Sequence, residues 1–137
     1  MVGNPNDGYL CFIHPLIRGG HPVDIMLFSR GNGIELYIPN RAELRTAATI
    51  GLVLGGRTWT AALRSPEAGS DFRSGTFVAG IEGTATFLQA FSSATVGRWN
   101  TDTGVSGAID MTGSAAARTN MDVCVIAMGR LNGAIRR

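Results

Sequence analysis

The only two cysteines of this chain, Cys11 and Cys124, stand near opposite ends of its 137 residues, and neither has a second thiol close by. A bond between them obliges the two ends to meet within one compact unit. In the chain-entropy model, closing a loop of this length stabilises a fold by about 4–5 kcal/mol. The alternative is a pair of separate buried thiols, since free cysteine packs as a small hydrophobe. Only the bonded pair carries an expectation about compartment, because such bonds are rare in a reducing cytosol.

The length fits a single domain, which at this size buries roughly two-thirds of its unfolded surface. Hydrophobic residues make up 45% and charged residues 16%, the opposite of the balance found in disordered chains. Aromatic residues are scarce at 7% while glycines number 19, so the core is expected to be built from small aliphatic groups joined by many turns. That favours short strands over long helices. All basic residues are arginine; the simplest reading is a GC-rich genome. They are scattered from Arg18 to Arg137 among ten acidic residues, giving a net charge of +2 and no basic stripe. This argues against nucleic acid as a partner. No apolar run is long enough to span a membrane, and Met1–Asp7 has neither a basic start nor an apolar core of the kind a secretory signal needs.

Along the chain, a polar leader over 1–7 is followed by the β-prone run Tyr9–His14, stopped at Pro15. The turn signal Arg18–Pro22 then leads to Val23–Phe28 as a neighbouring strand. After Gly31-Asn32-Gly33, the alternation of Ile34, Leu36 and Ile38 against Glu35 and Tyr37 predicts a half-buried strand. Ala42–Ala48 suits one helical turn. Strands are expected over Thr49–Leu54 and Thr58–Arg64, joined at Gly55-Gly56, and again from Phe72 to Ile81, weakened by Gly75 and Gly80. The first 81 residues therefore read as a meander. Phe87, Leu88 and Phe91 then fall on one helix face, with Thr84 a candidate N-cap. Val96–Trp99 and Val105–Met111 resemble a second hairpin, and Ser114 is a candidate N-cap for a helix ending towards Cys124. The tail over 130–137 is expected to fray.

The order of an apolar helix with Phe87 and Phe91, a hairpin, and then Ile109-Asp110-Met111-Thr112-Gly113-Ser114-Ala115-Ala116-Ala117 leading to Cys124 resembles the closing segment of small exported bacterial proteins of the invasion-associated locus B type. The likeness covers the last third of the chain. It implies a secreted or periplasmic β-rich domain that acts as an interaction module, without an enzymatic centre.

Cys11, His14, His21 and Cys124 together would make a four-ligand set of the types zinc accepts. The spacing is against it: Cys11 and His14 are odd-spaced on an extended strand and face opposite sides, and both histidines precede proline, where turn boundaries fall. Nor is there a G-x-S-x-G elbow to carry a nucleophile, and the acidic residues fall mostly at turns or strand surfaces rather than in pairs suited to proton transfer. No catalytic residue and no cofactor is assigned. Trp59 and Trp99, each flanked by polar residues, with Arg57 and Arg98 beside them, are the candidates for an exposed binding surface.

The expected fold is a single β-rich α+β domain of about seven or eight short strands in an antiparallel sandwich or barrel-like meander, with two short helices in the C-terminal half. The expected function is that of a non-catalytic exported bacterial protein that binds another macromolecule through a β-sheet face. The alternatives are an inhibitor or immunity protein, or a self-assembling viral or phage coat or decoration subunit.

Overall fold

The computed structural model describes residues 2–4, 8–13, 16–20, 25–29, 32–42, 44–66, 69 and 71–135, with 2–4, 8–10, 12–13, 16–20 and 128–135 described by backbone alone. In chain order the elements are β1 (Val2–Asn4), β2 (Gly8–Ile13), β3 (Leu16–Gly20), β4 (Met26–Ser29), β5 (Gly33–Pro39), β6 (Thr49–Leu54), β7 (Arg57–Ala62), β8 (Phe72–Ala79), α1 (Ile81–Ser93), β9 (Gly97–Thr101), β10 (Ser106–Asp110) and α2 (Ser114–Ile135). The class is α+β and β-rich, as expected. Among the described residues the strands form two five-stranded sheets, ordered β1-β2-β4-β5-β8 and β3-β10-β9-β6-β7. Every described pairing is antiparallel, and no closed barrel forms.

Period-two alternation produces these strands. On β5, Ile34, Leu36 and Ile38 are buried while Glu35 is exposed; on β9, Gly97, Trp99 and Thr101 point inward and Arg98 and Asn100 outward. The Gly55-Gly56 turn joins β6 to β7 with Gly55 at φ +62°, a conformation glycine reaches without steric cost.

The path is not a simple meander. β3 leaves the first sheet to pair with β10, β6 and β7 belong wholly to the second sheet, and β8 returns to pair with β5. Two strands lie where the sequence reads otherwise. Val2–Asn4 of the polar leader pairs with β2, and Leu16–Gly20, read partly as a turn, pairs with β10. Both are short: β1 takes its order from the next strand in the chain and β3 from a distant one, rather than from local propensity.

The edge strands of the two sheets meet at one corner. The Arg64 N–H donates to the Ser74 carbonyl at 2.8 Å, and Gly75 lies so close to β7 that a Cβ there would stand 2.8 Å from the Ala62 carbonyl oxygen. The glycine that weakens β8 on propensity alone is what lets the sheets approach. Beside this corner, α1 bridges the edge strands: the Phe87 ring is 5.1 Å from Trp59 of β7 and 6.1 Å from Phe77 of β8. Both sheets and both helices contribute to one core cluster.

The helices begin and end differently from expectation. α1 starts at Ile81, because Gly80 takes φ 90° and its N–H is held by the Asn32 carbonyl at 2.8 Å. Thr84 therefore lies inside the helix, its hydroxyl donating back to the Gly80 carbonyl at 2.7 Å. Phe87, Leu88 and Phe91 are buried together as the spacing predicts. Ser114 is the first residue of α2, which continues to Ile135 through the segment read as a fraying tail. Cys124 consequently sits mid-helix. No helix among the described residues is long and apolar enough to cross a membrane.

Arg73 of β8 had no signal in the sequence reading, yet it is 6% exposed. Its guanidinium replaces lost hydration with carbonyls: Nη1 donates to Ala47 at 2.6 Å and Leu44 at 2.9 Å, Nε to Arg64 at 3.1 Å and Nη2 to Leu63 at 3.4 Å. It thus ties the loop before β6 to the end of β7. Asp102, in the β9–β10 turn, secures the same loop from the other side, accepting from the N–H groups of Ala48 at 2.9 Å and Thr49 at 3.2 Å. The Thr49 amide leads the causes that hold the Asp102 carboxyl below the ordinary aspartate range, with Arg73 adding to it. Replacing Arg73 by methionine leaves buried carbonyls without donors and should lower the unfolding free energy in urea by on the order of 3 kcal/mol. Arg73→Lys should cost less, since it keeps the charge but loses the fork. A urea midpoint unchanged in Arg73→Met would contradict this role.

Candidate functional site

Cys11, wholly buried on β2, is bonded to Cys124, 113 positions later on α2, with Cα atoms 6.0 Å apart. The bond seats α2 against the first sheet. It also consumes both thiolates, which removes them from the zinc set considered above. His14 and His21, the other members of that set, lie outside the described residues.

The two tryptophans read as a surface pair have different fates. Trp99 is 0% exposed and belongs to the core. This corrects the expectation of an exposed Trp99 drawn from its polar neighbours Arg98 and Asn100, which on a strand face out because Trp99 faces in. Trp99 packs so tightly on its cross-strand partner that a Cβ at Gly107 would lie 2.5 Å from the indole Nε1. Arg98 is exposed on the opposite face of β9 and so cannot act with it.

Trp59 is half-buried, and Arg57, two residues earlier on the same strand, lies on the same side. The Arg57 guanidinium carbon sits 5.2 Å from the Trp59 ring centroid, within cation–π range. Phe87 closes on the indole at an interplanar angle of 70°. Trp59 is therefore a platform, fixed from within by α1 and carrying an exposed cation on its outer end.

That cation borders an open groove of about 580 Å³, lined by Arg57, by Ala85, Thr86, Gln89, Ala90 and Ser93 of α1, and by Arg118 of α2. The helical spacing accounts for the lining: Thr86, Gln89, Ala90 and Ser93 are at i, i+3, i+4 and i+7, the outward stripe of α1. Arg118 is braced across the two helices, Nη1 donating to Gln89 Oε1 at 2.7 Å and Nε lying 3.5 Å from Asp122 Oδ2 one turn on. The groove presents guanidinium, amide and hydroxyl groups over an alanine floor. Of the residues singled out from sequence, only Arg57 lines it, with Trp59 beneath the Arg57 guanidinium. Arg118 and Gln89 were missed; the one available signal was the i, i+4 spacing of Arg118 and Asp122 on a helix.

A second concavity, of about 360 Å³, lies on the first sheet and includes Ser29, Glu35 and Thr76. Its lining includes Phe28, edge-on to Tyr37 at 4.9 Å, but no arginine. No family model, no curated protein and no solved structure matches this chain.

The two indoles should report their environments independently. Acrylamide should quench Trp99→Phe protein, which keeps Trp59, several-fold more strongly than Trp59→Phe protein, which keeps the buried Trp99. Equal quenching of the two variants would contradict the assignment of platform and core.

Proposed function

We propose that this chain is a non-catalytic binding module, exported from a bacterial cell, that docks another protein at the Arg57–Trp59 end of β7 and the adjoining face of α1. The observation that carries this reading is the stacked and exposed guanidinium of Arg57. It meets no carboxylate among the described residues, so it stands ready for an external acceptor. Arginine and tryptophan together are the typical anchors of protein interfaces. The expectation of a β-sheet face is thereby narrowed to an edge strand and the helix beside it.

Export is supported by the Cys11–Cys124 bond and by the resemblance of the last third of the chain to invasion-associated locus B proteins. An inhibitor or immunity protein is a special case of the same reading. A self-assembling coat or decoration subunit is the second reading, favoured by Val123 and Ile126, three residues apart on α2 and 63% and 60% exposed. Light scattering combined with non-reducing peptide mapping separates them. The binding module should be a small soluble species with Cys11 linked to Cys124 when secreted; a large homogeneous assembly would favour the coat subunit, and free thiols in the secreted protein would remove the basis for export.

A further inference from the structure

The groove between β7, α1 and α2 has a charge pattern that selects its occupant. Arg57 of β7 and Arg118 of α2 both line it, as do Ala85 and Ala90, and no acidic residue is among its lining residues. Each guanidinium is oriented without being used up. Arg57 lies over the Trp59 ring, its guanidinium carbon 5.2 Å from the centroid, and is exposed, so its N–H groups face solvent. Arg118 is held through Nη1 by Gln89 and Ser92 and through Nε by Asp122, leaving Nη2 without a partner among the described residues.

Building on the binding-module reading, we propose that this groove receives a short acidic segment of a partner protein, with one carboxylate taken by each arginine and small apolar side chains resting on the alanine floor. Two preset cations across an apolar concavity of this volume suit a peptide carrying spaced carboxylates. A nucleic-acid strand, by contrast, needs a continuous basic track along its backbone. The whole chain's net charge of +2 adds weak attraction of the same sign.

A fluorescein-labelled peptide of alternating glutamate and alanine, its glutamine counterpart and a single-stranded oligonucleotide of similar length provide the probes, read by fluorescence anisotropy and by the indole N–H signals in nuclear magnetic resonance. The acidic peptide should bind, weaken as salt rises and shift the Trp59 indole while leaving that of Trp99 in place. Arg57→Glu and Arg118→Gln should each weaken it about fivefold or more, with both variants still folded by circular dichroism. No binding of the acidic peptide, equal binding of the glutamine peptide, or binding indifferent to Arg57→Glu would overturn the proposal; so would oligonucleotide binding that matches the acidic peptide. If the protein is nonetheless small, soluble and disulfide-linked when secreted, the binding-module reading survives and only the acidic occupant fails. A large assembly removes the broader reading whatever the peptide does.

Discussion

The bond between Cys11 and Cys124 is the constraint on which the arrangement of the last third of the chain depends. α2 packs on β2 and on α1, and β2 lies one strand from the edge of the first sheet. Without the bond, the helix would rest on its own apolar face, yet Val123 and Ile126 turn outward and only part of the helix, including Met121, is buried. Closing a loop that spans most of the chain contributes about 4–5 kcal/mol in the chain-entropy account, a large share of the stability of a domain this size. By fixing α2 the bond also fixes Arg118, the second cation of the groove.

A second set of constraints acts where the sheets meet. Gly75 permits β7 and β8 to touch at one corner, Phe87 bridges their edges, and Arg73 ties the loop before β6 to the end of β7. These contacts place Trp59 at the rim of the core, half inside and half out. The candidate site is thus a by-product of how two sheets are joined: an edge strand supplies Arg57 and Trp59, and the helix that packs beside it supplies the opposite wall.

Much of this was legible in the residues themselves. The alternation of Ile34, Leu36 and Ile38, the Gly55-Gly56 turn and the clustering of Phe87, Leu88 and Phe91 are local patterns, and local patterns survive into the fold. The isolation of the cysteines allows either a staple or two separate buried thiols, and the bond realises the first. What escaped notice was set by distant partners. Arg73 reads as an ordinary strand arginine until carbonyls from the loop around Leu44–Ala47 converge on it. The exchange of strands between sheets leaves no trace in local propensity. Trp99 is different, for its exposed neighbours Arg98 and Asn100 mark the opposite face of the strand and, under period two, place Trp99 inward. Arg118 joins the groove only because α2 lies against α1, a contact between separate helices that no spacing within either one specifies.

The central claim is that the staple holds α2 in place and, through it, the groove. Amide hydrogen exchange resolved by residue, before and after reduction of the Cys11–Cys124 bond under native conditions, tests it most directly. The account predicts that amides of α2 and β2 lose protection together while those of β6 and β9 keep theirs. Protection of α2 unchanged by reduction would contradict it.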